Sequence, residues 1–168
     1  MLKKILSLLV VFLLSSSVVY ATVVRNRVTI KGSDTMVIMV QRLAEEYMGK
    51  FRGKVIQVSG GGSGVGIAAL INKTTDIANA SRVIKDNERN AIKKAWGKDP
   101  REFKIALDGI TIYVHPDNPV KDLTLAQLKD IFTGKITSWK GLGWEDKPII
   151  IYTRENSSGT YVFFKEHV

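Results

Sequence analysis

The 168-residue sequence contains no cysteine. That excludes disulfides, a thiolate metal site and a lipid-modified N-terminal cysteine in this chain. Histidine is nearly as scarce: His115 lies beside prolines and His167 stands next to the last residue. Neither is placed to activate a serine, and no cluster has zinc spacing, so no metal or catalytic nucleophile is expected. Basic residues never run longer than two, and no aromatic ladder is interleaved with them. The formal charge of +9 is therefore a diffuse positive field, which suits an anionic ligand but lacks the clustering of a nucleic-acid footprint. Gly60 to Gly66 matches neither G-x-G-x-x-G nor the P-loop pattern, and no G-x-S-x-G elbow surrounds a serine. What remains is ordinary globular material, 45% hydrophobic and 24% charged, in a chain long enough to bury a sizeable core.

The N-terminus reads as an export signal. Lys3 and Lys4 precede an apolar stretch from Ile5 to Leu14, and Val19-Tyr20-Ala21 supplies small residues at a cleavage position. Residues 1–21 are expected to be removed, leaving Thr22 first. A retained membrane anchor is the rival, because apolar character resumes from Val18 to Val24; Ser15, Ser16 and Ser17 interrupt it and weaken a full span. An exported protein without a lipid anchor fits a Gram-negative periplasm.

Beyond the signal, strand and helix patterns alternate. Arg27–Lys31, Lys54–Val58 and Asp76–Ala80 read as strands, and Phe103–Leu107 begins a longer one continuing through Ile110 to Val114. Between them lie helical patterns: one with Val37, Val40, Leu43, Ala44 and Tyr47 on its apolar face, one over Val65–Asn72 and one over Asp86–Trp96. This order predicts an α/β fold with a mostly parallel sheet. In His115–Pro119, Pro116 and Pro119 bracket the polar turn residues Asp117 and Asn118, and the segment is read as an interdomain crossover. Residues 22–114 then form a first lobe and 120–168 a second. In the second, Thr124–Phe132 is an amphipathic helix, Ile149–Tyr152 a strand, and Tyr161–Lys165 the start of a helix cut by the chain end. The second lobe is therefore expected to be incomplete here.

The chemistry gathers in the loops. Gly32-Ser33-Asp34-Thr35, Gly62-Ser63-Gly64, Ser81-Arg82 and Arg154 with Ser157-Ser158-Gly159-Thr160 all follow strand patterns. Three lead into helices, whose free N–H groups and dipoles favour an anion. Hydroxyls add donors, glycine lets the backbone approach closely, and the two arginines bring forked charge. Singly, each is a cap, a flexible turn or a surface cation. Recurrence at the carboxyl edge of one sheet points instead to a cage for a small oxyanion.

The stretches IKGSDTM, VSGGGSGVGI, DIANASR, ALDGITIYVHPDNPV, LTLAQLKDIFTGKITSW and TRENSSGTY, running in this order from about Val28 to Phe164, resemble the periplasmic phosphate-binding proteins of ABC-type phosphate transporters. The resemblance implies a two-lobed, type II periplasmic binding fold that closes on inorganic phosphate. It also implies delivery of phosphate to a membrane permease, without catalysis or cofactor, by a monomer. Ser33, Thr35, Ser63, Arg82, Asp108, Arg154, Ser158, Gly159 and Thr160 then correspond to the ligand shell, and Asp34 to a helix-capping residue offering its backbone N–H. Asp108 takes the place of an acidic residue that some relatives carry where this chain has Arg82. A carboxylate there favours a protonated anion over sulfate, with a structural pair to Arg82 as its alternative role. Two other readings stand beside this one: a receptor for sulfate or molybdate, and a secreted phosphatase using one of the serines.

Overall fold

The computed structural model describes residues 27–168; the expected signal segment lies outside them. Strand β1 (Arg27–Gly32) carries β-branched Val28, Thr29 and Ile30 and occupies the centre of a three-stranded parallel sheet. On one side lies β2 (Val55–Ser59), in register from Arg27 against Val55 to Lys31 against Ser59. On the other lies β3 (Ile77–Asn79), with Ile30 against Ile77 and Gly32 against Asn79. Asp76 ties β3 to β1 by accepting from the Thr29 N–H at 2.7 Å and the Thr29 hydroxyl at 2.8 Å.

Helix α1 (Asp34–Lys50) connects β1 to β2 and packs on β2. Only Val40 and Ala44 of its apolar face are buried; Leu43 and Tyr47 remain exposed. Helix α2 (Ser63–Ile71) starts two residues earlier than its sequence pattern suggested. It contacts β1, β3 and α3 (Asp86–Trp96), and this two-sided burial explains its nearly all-apolar sequence. A Cβ on Gly66 would press on the Lys31 carbonyl and sit 2.5 Å from Gly32 Cα. Glycine at this position lets α2 lie close against the end of β1.

The expected strands at Phe103–Val114 and Ile149–Tyr152 do not form. Both stretches lack ladder partners among the described residues, and most of their side chains are exposed, Leu107 at 96%. β-rich sequence extends the backbone, but a strand also needs a neighbour to take its N–H and C=O groups. The single antiparallel bridge in this half joins Ser138 to Pro148. The His115–Pro119 segment is a turn: the Asn118 N–H bonds the His115 carbonyl at 2.9 Å, and buried Asn118 accepts from the Val120 N–H at 2.9 Å.

Helix α4 (Leu125–Phe132) has a reciprocal cap. Thr124 Oγ1 accepts from the Gln127 N–H at 3.2 Å, and Gln127 Oε1 accepts from the Thr124 N–H at 2.8 Å. Leu128 and Ile131 are its buried face. A 3-10 turn spans Trp139–Leu142, and α5 covers Gly159–His167 behind its N-cap Ser158. No helix of the described residues is long and apolar enough to cross a membrane.

Candidate anion-binding site

The parallel order β2-β1-β3 makes the connections leave β1 in opposite directions, which opens a crevice at the carboxyl ends of the strands. Backbone bonds draw the loops together there. The Ser33 N–H donates to the Asn79 carbonyl at 3.0 Å, and the Gly62 N–H donates to the Gly32 carbonyl at 3.0 Å. From the far part of the chain, the Ser157 carbonyl accepts from the Gly64 N–H at 3.0 Å. The N-termini of α1, α2 and α5 therefore meet at one place.

A ring of hydroxyls lies between them. Ser81 Oγ is its hub, 3.0 Å from Ser33 Oγ, 3.3 Å from Ser63 Oγ and 3.5 Å from Thr160 Oγ1. Ser33 Oγ also meets Thr35 Oγ1 at 2.9 Å, and the Ser81 N–H donates to Ser63 Oγ at 3.1 Å. Ser33, Ser63 and Ser158 are buried. Ser33 is the N-cap of α1 but makes no side-chain cap bond, because its hydroxyl turns into the ring instead. Ser158 does cap its helix, accepting from the Tyr161 N–H at 3.3 Å. Gly159 is pressed against Ser63 and Ser81: an added Cβ would lie 2.6 Å from Ser81 Oγ and closer still to Ser63 Oγ. Only glycine admits α5 to the ring.

The charged residues depart from expectation. Asp34 does not cap α1 with its side chain. Its Oδ1 accepts from the Gly61 N–H at 2.7 Å and its Oδ2 from Arg154 Nη2 at 2.8 Å, so it clasps the later segment onto the β2–α2 loop. The Gly61 N–H, and after it the Arg154 guanidinium, hold the Asp34 carboxyl below its ordinary range. Arg154 Nη2 also donates to Glu155 at 3.0 Å. Its Nη1 and Nε have no acceptor among the described residues, and its side chain is 44% exposed.

Arg82 is the opposite case, with a side chain only 7% exposed. It pairs with Glu88 and not with Asp108. Nη1 reaches Glu88 Oε2 at 2.8 Å and Nη2 reaches Oε1 at 2.6 Å. Donating to Glu88 pushes the Arg82 pKa further up. Burial raises the Glu88 carboxyl, but Arg82 and the Lys85 N–H outweigh it and leave Glu88 below its ordinary range. Asp108 stands apart on the exposed 101–114 segment, where its Oδ1 accepts from the Gly109 N–H at 2.8 Å.

Of the sequence-derived residues, Ser33, Asp34, Thr35, Ser63, Arg154, Ser158, Gly159 and Thr160 are brought together; Arg82 follows Ser81 in sequence but its side chain is bonded to Glu88, and Asp108 lies apart on the exposed 101–114 segment. Ser81 belongs to a loop that the sequence marks but is not among the residues the resemblance carries into the ligand shell; the structure makes it the hub of the ring. Among the described residues no group of three or more His, Asp or Glu side chains is arranged to hold a metal ion. The fold and the site define an α/β protein whose crevice gathers helix N-termini, buried hydroxyls and the Arg154 guanidinium, a donor set whose chemistry suits a small anion.

The comparisons narrow that class. The family model described as a PBP superfamily domain matches residues 20–168, and the chain belongs to that superfamily. It is 41% identical over 141 residues to the phosphate-binding protein PstS of Staphylococcus epidermidis, covering 82% of this chain and 43% of that one. With the PstS of Pseudomonas aeruginosa it shares 35% over 147 residues, covering 80% and 46%. The chain thus spans about half the length of the curated relatives it matches. In structure it resembles a Clostridium perfringens protein crystallised with bound phosphate and assigned as a phosphate ABC transporter substrate-binding protein. The TM-score is 0.76 at 42% identity, over 84% of this chain and 55% of that one. An ABC-type phosphate transport receptor from Vibrio cholerae gives 0.66 at 36%, over 83% and 54%.

Proposed function

We propose that this chain is the anion-capturing part of an exported receptor that takes up inorganic phosphate and hands it to the permease of an ABC transporter, unchanged. The observation that carries this reading is the convergence of Ser33, Ser63 and Thr160 on Ser81, at the meeting point of three helix N-termini. The similarity to PstS proteins and to a phosphate-bound structure supports it. In this reading the hydroxyls and first-turn N–H groups donate to the phosphate oxygens, Arg154 adds charge through its free nitrogens, and residues 115–119 are the crossover between two lobes. Binding without turnover fits the surroundings of the ring, since His115 is exposed on its turn and the His167 ring contacts the Phe163 carbonyl at 2.7 Å. The protein works as a monomer outside the cytoplasmic membrane, needs no cofactor, and does not bind nucleic acid.

Asp34, which stands between the ring residues Ser33 and Thr35 in sequence and holds Arg154 through Oδ2, takes over from Asp108 as the carboxylate that separates phosphate from sulfate. It is held ionised, so it accepts a hydrogen bond from a protonated phosphate but faces sulfate with lone pairs only. Calorimetric titration with phosphate, sulfate and molybdate tests the whole reading. Saturable heat with phosphate, and little with the other two, is the expected result. In Asp34→Asn, sulfate should gain relative to phosphate. Equal affinity for phosphate and sulfate in the unsubstituted chain would support the general oxyanion receptor instead.

A further inference from the structure

Arg82 has one nitrogen without a partner. Its Nη1 is shared between Glu88 Oε2 and the Val83 carbonyl, at 2.8 and 3.0 Å, and its Nη2 is taken by Glu88 Oε1 at 2.6 Å. Its Nε is buried and bonded to nothing, and the other buried side-chain atom in that state among the described residues is Asn79 Nδ2. Both are N–H donors, and both belong to the four residues Asn79–Arg82 that contain Ser81, the hub of the ring. Buried donors are costly to leave unpaired, and two of them beside an anion site lack the same thing, an acceptor.

Glu88 decides which face of Arg82 stays free. It is fixed in the first turn of α3, where Oε2 also accepts from the Lys85 N–H at 2.9 Å. A carboxylate held this way grips the two terminal nitrogens as a fork and leaves Nε alone. We infer that Glu88 is a positioning residue of the site: it clamps Arg82 by its terminal nitrogens so that the buried Nε–H is kept for the anion held at Ser81. This rests on the receptor reading above.

The inference makes a prediction whose sign is opposite to that of simple electrostatics. Glu88→Gln removes a negative charge near an anion site, so if Glu88 only offset the charge of Arg82, phosphate would bind more tightly. As a positioning residue, its loss should instead weaken binding about tenfold, because the guanidinium is no longer held by a charge-assisted fork. Glu88→Asp, which keeps the carboxylate, should recover part of this.

The experiment combines phosphate calorimetry on the full chain with NMR of the arginine Nε–H groups, using Arg82→Lys to assign the Arg82 signal. On adding inorganic phosphate to the unsubstituted chain, the Arg82 Nε–H resonance should move with the same saturation curve as the calorimetric heat. A resonance that stays still while phosphate binds overturns the inference and leaves the receptor reading intact, as does Glu88→Gln binding at least as tightly. Absence of phosphate heat in the unsubstituted chain overturns both. Should Glu88→Gln fail to fold by circular dichroism, the titration of the unsubstituted chain still decides.

Discussion

RVTIK at Arg27–Lys31 and FKIAL at Phe103–Leu107 are similar on paper, short runs mixing apolar and basic residues. In the structure the first is the centre of a parallel sheet with a partner on each side, and the second runs exposed without a ladder. Around β1, helices α1 and α2 return the chain so that β2 and β3 lie alongside. After α3 no helix intervenes before Leu125, and no described strand lies beside residues 103–114. Local sequence sets the extended backbone, whereas the ladder depends on what the rest of the chain brings next to it. The later region nevertheless reaches the site through Arg154, Ser157, Gly159 and Thr160.

The largest effect should come from cutting that reach. Arg154→Ala is expected to weaken phosphate binding by about 2 to 4 kcal/mol, roughly 30-fold to 1000-fold in affinity. Arg154→Lys should recover only part, because an ammonium lacks the guanidinium fork. Unchanged affinity in Arg154→Ala would separate the later region from the site.

Within the sheet, Gly66→Ala forces a methyl group against Lys31 and Gly32. It should destabilise the chain by about 1 to 3 kcal/mol, read as a lower urea midpoint. A midpoint equal to the parent's would mean that α2 does not lie tight on β1.

Acid should act through Asp76, whose carboxyl is held below its ordinary range by the Thr29 N–H and then by the Thr29 hydroxyl. A lowered folded-state pKa contributes stability above the unfolded value of about 3.9, and that contribution is lost as pH falls through the folded value. Asp76→Asn should therefore flatten the decline in stability below about pH 4 and reduce stability at neutral pH. An unchanged acid limb would show that this tie between β3 and β1 contributes nothing.

The smallest effect is expected in the stretch that reads as a strand but has no ladder partner. Leu107→Ala removes a side chain that is 96% exposed and should change the stability of this chain by no more than about 0.5 kcal/mol in urea unfolding. A loss of several kcal/mol would reveal packing along residues 103–107.

Much of this was legible in the sequence, and the reasons are physical. The strand–loop–helix rhythm through Trp96 gave the parallel sheet, since each strand there is followed by a helix that lets the next run the same way. The hydroxyl and glycine clusters were readable because anion chemistry needs those residue types at helix N-termini. Less legible was which charged group meets which. Glu88 lies six residues from Arg82, and Asp34 lies 120 from Arg154; these pairings depend on how the loops close, which spacing does not encode. Asp108 is well placed only if Phe103–Val114 forms a strand that delivers it to the sheet edge, and that stretch has no ladder partner among the described residues.

The most direct test of the site is crystallographic. Crystals of the chain grown with arsenate, a tetrahedral stand-in for phosphate with an anomalous signal, should show one anion within hydrogen-bonding distance of Ser81, Ser63 and Thr160, with Arg154 turned toward it. An arsenic peak elsewhere, or an empty ring at saturating arsenate, would contradict the account.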